Sequence, residues 1–173
     1  MLSRAVKTAI LTISTSVAAG RNEDTSGNLL AELAQAAGAE VYTQEVVSDD
    51  RPAIEAALRR YIDDGAALVF TTGGTGLTPD DVTPEATRAV IERDAPGFAE
   101  AMRAESTRIK PLGMLSRGVA GTAKGTLIIN FPGNPKAIRE LFPVIAPTLQ
   151  HAIATLRREP GRPHGADAGH AGH

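Results

Sequence analysis

The stretch Ala67-Leu-Val-Phe-Thr-Thr-Gly-Gly-Thr-Gly-Leu-Thr-Pro-Asp-Asp-Val-Thr-Pro-Glu85 decides the fold. A short apolar strand, Ala67 to Phe70, runs into a loop with three glycines, Gly73, Gly74 and Gly76. Two carboxylates follow, Asp80 and Asp81, and then a helix start with Thr83 as N-cap and Pro84 at the first helical position. Glycines let backbone N–H groups turn toward an anion with no side chain in the way. Carboxylates repel a phosphate, but they hold a divalent cation that binds one. Strand, anion loop, acidic pair and helix, in that order, point to nucleotide or phosphoester chemistry. The loop is not a Walker A motif, because no Lys-Ser or Lys-Thr follows its last glycine, and it is not the G-x-G-x-x-G fingerprint. The competing reading is a plain strand-to-helix turn whose aspartates sit near a helix dipole.

Outward from this stretch, strands and helices alternate. Val6 to Ile13 reads as a buried first strand, and the polar segment Ser14 to Thr25 as a loop. Leu29, Leu30, Leu33, Ala34 and Ala37 mark one face of a helix that stops at Gly38. Val41 to Val47 is a second strand. Pro52 opens a helix whose Ile54, Ala57, Leu58, Tyr61 and Ile62 keep helical spacing, and Gly65 ends it. A third strand covers Ala66 to Thr71, with helices expected over Pro84 to Asp94 and Gly97 to Thr107. Met114 to Val119 and Thr126 to Phe131, joined by Gly121 to Gly125, read as an antiparallel hairpin. A last helical region runs from Ile138 to Leu156, and Pro143 and Pro147 are expected to kink or divide it. The pattern predicts a three-layer α/β/α sandwich with a mainly parallel sheet and an antiparallel excursion. Residues 1–158 read as one α/β domain. From Glu159 the chain lacks apolar periodicity, so 159–173 reads as a disordered tail whose histidines have no assigned role.

Composition excludes several classes. The 173 residues are 42% hydrophobic and 22% charged, ordinary for a globular protein, with a net charge of −2 that offers no basic surface to nucleic acid or anionic lipid. Aromatics make up 3% with no Trp, so there is no stacking platform for single strands. The absence of cysteine removes disulfides, thiolate nucleophiles and cysteine-ligated zinc. No stretch approaches the roughly 20 apolar residues that span a bilayer, and the start is too polar for a signal peptide. A cytoplasmic protein without membrane or nucleic-acid partners is the expectation.

In parallel α/β sheets ligands gather at the carboxyl ends of the strands. Four polar loops meet that description: Ser14–Thr25, Ser48–Asp50, Gly73–Asp81 and Pro132–Pro135. The second supplies another acidic pair, Asp49 and Asp50, although either residue also suits the N-terminus of the helix after Pro52. Two acidic pairs after strands favour metal-assisted phosphoryl or nucleotidyl transfer. Ser116 and Arg117 are a candidate phosphate clamp, provided that they lie at a strand end or bulge, since neighbours in a strand face opposite ways.

Thr71-Thr-Gly-Gly-Thr-Gly76, Asp81-Val-Thr-Pro84, Pro96-Gly-Phe98, Leu115-Ser-Arg117 and Pro132-Gly-Asn-Pro135 occur in the order found in the molybdopterin adenylyltransferase family, the MogA/MoaB type, which also resembles the G domain of gephyrin. The resemblance spans about Val6 to Leu156. It implies a homotrimer that binds molybdopterin and uses magnesium and ATP to adenylylate its terminal phosphate, releasing pyrophosphate. A molybdenum-insertion protein is the further partner implied. Carried onto this chain, Asp49 and Asp81 become the catalytic and magnesium-holding acids, and Asp80 merely precedes the matching position. The choice of Asp49 over Asp50 depends on a one-residue register. Ser14, Asp24, Gly73, Gly74, Thr75 and Gly76 become nucleotide- and phosphate-binding residues. Ser116, Arg117, Pro132, Gly133 and Asn134 become molybdopterin-binding residues. The alternative within the same fold is a carrier that binds molybdopterin without turnover.

Overall fold

The run Val6–Ile13 buries its apolar residues, Ala9, Ile10, Leu11 and Ile13, together with Thr8 and Thr12 because both of its faces are covered, and it forms strand β1 inside the sheet. Residues 5–158 and 161 are described by the computed structural model. The tail expected at 159–173, with its histidines, lies outside them apart from Gly161. After β1 come α1 (Thr15–Ala18), α2 (Thr25–Ala36), β2 (Ala39–Val47), α3 (Arg51–Asp63), β3 (Leu68–Thr72) and α4 (Thr83–Val90). Then follow β4 (Arg93–Asp94), α5 (Pro96–Ile109), a 3-10 turn (Pro111–Leu115), β5 (Ala120–Ala123), β6 (Thr126–Phe131) and α6 (Pro135–Leu156).

The six strands form one sheet in the order β2-β1-β3-β6-β5-β4. β2, β1, β3 and β6 are parallel, while β5 and β4 run antiparallel to their neighbours. Alternate strand residues feed two cores. Ile10, Phe70, Leu127, Ile129 and Phe131 pack with α2 and α6, whereas Ala9, Leu11, Ile13, Val69 and Ile128 pack with residues of α3 and α4. The first core holds an aromatic cluster, with Phe70 edge-on to Phe131 and Phe142 at centroid distances of 5.7 and 5.9 Å. This is the three-layer sandwich that the pattern predicted.

Four local expectations are corrected. Met114 to Val119 is not a strand: Pro111–Leu115 is a 3-10 turn, and the hairpin pairs β5 with β6 through Lys124 and Gly125, both at positive φ, 47° and 79°. Two left-handed central residues match the twist of a two-residue hairpin. The helix expected to Asp94 stops at Val90, where Ile91 turns extended and Arg93–Asp94 joins the sheet edge beside β5. Thr83 is not the N-cap of α4: Val82 holds that position, and the Thr83 hydroxyl instead donates to Gly73 O at 2.9 Å. Finally, α6 is a single helix from Pro135 to Leu156 and is not divided at Pro143 or Pro147. Each proline leaves one carbonyl of the preceding turn without an intrahelical donor, and the apolar face Ile138, Leu141, Phe142, Ile145 and Leu149 holds the helix on the core. Among the described residues no helix is long and apolar enough to cross a membrane.

Candidate active site

Parallel pairing of β2, β1, β3 and β6 brings the loops after them to one edge. The loops then pack on each other. The Gly73 backbone lies so close to β1 that a Cβ there would stand 2.2 Å from Ile13 O, and φ is 98°. A Cβ on Gly74, at φ 66°, would stand 2.3 Å from Thr83 Oγ1. Glycine is therefore required at both positions. Gly133 crosses the same point, its would-be Cβ 3.2 Å from Gly73 Cα, and Ser26 Oγ donates to Gly133 O at 3.0 Å. Thr72 Oγ1 donates to Pro132 O at 2.8 Å.

The glycine loop presents only part of its backbone to a ligand. The Gly73 N–H is already given to Phe131 O at 3.2 Å. The N–H groups of Gly74, Thr75 and Gly76 have no protein acceptor among the described residues, so three donors remain for an anion.

Two lobes open beside this loop. One, about 530 Å³, is polar and is lined by Thr12, Ser14, Asp24, Thr72 and Gly133 among others. Asp24 caps α2 by accepting from the Gly27 N–H at 2.9 Å, and the buried Thr12 hydroxyl donates to the same carboxylate at 2.9 Å. The other, about 240 Å³, has an apolar floor that includes Met102, Leu112 and Leu141. Its polar lining includes Thr75, Gly76, Ser116, Asn130 and Asn134, with Arg103 and Lys110 as its cations, and Pro132 lies in its wall. The Pro132–Pro135 loop borders both lobes.

The acids stand at the same carboxyl edge. Asp49, after β2, accepts through Oδ2 from the Thr15 N–H (3.0 Å) and hydroxyl (2.9 Å), so it holds the loop that leaves β1. Asp50 faces elsewhere, capping α3 through the Ala53 N–H at 3.0 Å. The one-residue register thus separates a loop-binding acid from a helix cap. Asp81, after β3, accepts through Oδ2 from the Thr78 N–H (3.0 Å) and hydroxyl (2.8 Å). Only β1 separates β2 from β3, so these strand ends lie about 10 Å apart. In each carboxylate Oδ1 has no protein partner among the described residues.

No group of three or more His, Cys, Asp or Glu side chains that could hold a metal is gathered among the described residues. An all-protein metal cage is therefore missing from them. Magnesium does not need one: it commonly takes one or two carboxylates together with substrate phosphates and water. Asp49 and Asp81 each keep one carboxylate oxygen free of protein partners among the described residues, which is the donor chemistry such a site would use.

Ser116 and Arg117 both line a further lobe beside Arg88 and Arg103, but their polar groups are used differently. Ser116 lies in the wall of the apolar lobe. The Arg117 guanidinium instead donates Nε–H to Gly76 O (2.7 Å) and Nη2–H to Asp81 O (2.7 Å), and it pairs through Nη1 with Glu85 at 2.5 Å. Arg117 chiefly holds the loop that carries Asp81, and this contact holds the Glu85 carboxyl below its usual range. Sequence reasoning missed Arg103, whose Nη1 donates to Ser116 O at 2.8 Å, and Asn130, which ties the floor of the site together. The signal for Asn130 was a polar residue inside the apolar run Thr126–Phe131.

A mainly parallel sheet with a glycine loop and two acids beyond the carboxyl ends of its strands defines an α/β protein of the class that binds ligands at that edge. Residues 9–151 match the family described as "Probable molybdopterin binding domain", and the chain belongs to that family. The chain is 38% identical over 147 residues to the molybdopterin adenylyltransferase of Helicobacter pylori strain J99, across 83% of this chain and 84% of that one. It is 39% identical over 146 residues to the molybdenum cofactor synthesis protein cinnamon of Drosophila melanogaster, which is 83% of this chain but 24% of that protein. The crystal structure of the molybdopterin biosynthesis enzyme MoaB from Thermus thermophilus has the same fold, with a TM-score of 0.84 at 41% identity over 91% of this chain and 99% of that one. Molybdenum cofactor biosynthesis is the setting that these relatives share.

Proposed function

We propose that this chain is a nucleotidyltransferase of molybdenum cofactor biosynthesis that adenylylates the terminal phosphate of molybdopterin with ATP. The observation that carries the reading is a pair of unlike lobes that share the Pro132–Pro135 loop, with the glycine loop lining the apolar one through Thr75 and Gly76. The apolar lobe suits a flat pterin, and the polar lobe suits ribose and phosphates. The free N–H groups of Gly74 to Gly76 belong to the loop that lines the apolar lobe and follows Thr72, a residue of the polar one.

In this reaction an oxygen of the pterin phosphate attacks the α-phosphorus of ATP. The bond from that phosphorus to the bridging oxygen breaks, and pyrophosphate leaves with the electron pair. The attacking group belongs to the substrate, so the protein needs no nucleophile. Its task is to bring two polyanions together. Asp49 and Asp81 would hold magnesium, which supplies charge neutralisation on the ATP phosphates. The glycine-loop amides donate toward charge that grows during transfer. Ser14, Asp24 and Gly133 line the nucleotide side, so Gly133 moves from the pterin side expected for it, while Ser116, Pro132 and Asn134 line the pterin side. Thr15 holds Asp49 in place, and a homotrimer is the assembly that goes with this reading.

The test is incubation of the purified protein with molybdopterin, ATP and magnesium, followed by chromatography. Formation of adenylyl-molybdopterin and pyrophosphate in equal amounts is expected. Tight pterin binding with no product would make the protein a carrier.

A further inference from the structure

Arg117 binds the glycine-loop segment at three places. Its backbone N–H donates to Thr75 O at 2.8 Å, its Nε–H to Gly76 O and its Nη2–H to Asp81 O, both at 2.7 Å. One guanidinium therefore grips two carbonyls five residues apart and closes the 76–81 loop into a ring. Inside the ring the Asp81 carboxylate is fixed by Thr78, and Gly76 leaves it room: a Cβ there would come within 2.8 Å of Asp81 Oδ2. Carbonyl dipoles satisfy the guanidinium only in part, and Glu85, in the first turn of α4, supplies the countercharge. The second oxygen of Glu85 is inaccessible to solvent and has no hydrogen-bond partner, so Arg117 is the chief partner of this carboxylate, with the Glu85 backbone and the Arg88 charge acting on it as well.

We propose that Arg117 and Glu85 are positioning residues that act through Asp81, setting where its carboxylate stands for the magnesium–triphosphate group; this rests on the adenylyl-transfer reading above. A direct phosphate clamp would need the guanidinium donors free; Arg117 does line a lobe beside Ser116 and Arg103, but three of its N–H donors are already used on protein. The pair fixes Asp81 as an outer partner fixes a metal ligand, and losing such a partner typically weakens metal binding or activity about 10- to 100-fold.

The test compares Arg117→Met, Arg117→Lys and Glu85→Gln with the native chain. Binding of an ATP analogue uncleavable between its α and β phosphorus, with magnesium, is titrated separately from binding of molybdopterin. Amide hydrogen exchange is followed across 76–81. Arg117→Met should weaken analogue binding about tenfold, speed exchange at the Thr78 amide, and leave molybdopterin affinity within about twofold. Arg117→Lys, able to reach one carbonyl, should fall between. In turnover the KM for Mg·ATP should rise in parallel. Should Arg117→Met fail to fold, Glu85→Gln keeps the shape, removes the countercharge and should show the same pattern in milder form. Loss of molybdopterin affinity with analogue binding retained would overturn the proposal in favour of a phosphate clamp. Unchanged Thr78 exchange would overturn it as well. If the native chain binds no Mg·ATP analogue, the adenylyl-transfer reading fails, and the exchange data alone decide whether the pair holds the loop.

Discussion

Replacing Asn130 by alanine tests how the site is held from beneath. Asn130 is 2% exposed. Its Oδ1 accepts from the Val119 N–H at 3.1 Å, and its Nδ2 donates to Thr71 Oγ1 at 2.9 Å and Thr87 Oγ1 at 3.1 Å. One side chain thus joins β6 to β3, to α4 and to the segment that enters β5. Alanine leaves the Val119 amide buried without its acceptor and removes the donor from two fully buried hydroxyls. An orphaned buried amide costs about 1–3 kcal/mol, and the hydroxyls add to it, so a loss of about 3 kcal/mol is expected. For a chain of this size that corresponds to a fall in Tm of about 6–12 °C. Scanning calorimetry reads it directly. Ligand affinity should drop as well, because Asn130 lines the apolar lobe. A fall of less than about 3 °C would refute the reasoning: the three contacts would then be replaceable, by water or by rotation of the threonines.

Further outcomes follow from single contacts. Gly73→Ala places a Cβ 2.2 Å from Ile13 O at φ 98°, so strain of roughly 1–3 kcal/mol is a lower bound and nucleotide binding should fail before folding does; a stable variant that binds Mg·ATP normally would contradict this. Asp49→Asn should cut turnover roughly a hundredfold with Tm little changed, whereas Asp50→Asn should do little, since asparagine caps a helix as well as aspartate; kinetics on the two variants separate the acids. The buried Tyr61 hydroxyl makes no hydrogen bond of good geometry, although Glu45 lies near enough to act on it as a long acceptor as well as a charge, and burial pushes its phenol above the usual range. The folded state therefore holds that proton more tightly than the unfolded chain. This stability is fully present below the unfolded value of about 10 and is lost as pH rises beyond it. Tyr61→Phe should keep or raise Tm at neutral pH and flatten the alkaline limb; a drop of several degrees would mean that the hydroxyl is bonded.

The buried strands were legible because they are covered on both faces. Val6–Ile13 and Thr126–Phe131 read directly from their apolar runs, and the apolar stripe of α3 is buried at every position named. The strand expected over Met114 to Val119 misled for the opposite reason. Its leading apolar residues are exposed, Met114 by 60% and Leu115 by 45%, and Leu115 belongs to the wall of a lobe and not to a strand core. The strand β4 is two charged residues held by pairing with β5, and no local pattern encodes that. At the site, the glycines and aspartates stood out because close backbone approach and anion chemistry demand those residue types. The part played by Arg117 did not: it binds Gly76 and Asp81, 41 and 36 residues away in sequence, and only the folded chain brings them together. The Thr83 hydroxyl, read as a cap, likewise serves Gly73 across the loop.

The central claim is adenylyl transfer between two ligands held at one glycine loop. Its most direct measurement follows label from ATP, carried in separate reactions at the α or the γ phosphorus, with molybdopterin and magnesium present. The account predicts that the α label enters the pterin product while the γ label appears only in pyrophosphate. A γ label in the pterin, or no label there at all while molybdopterin remains bound, would contradict it.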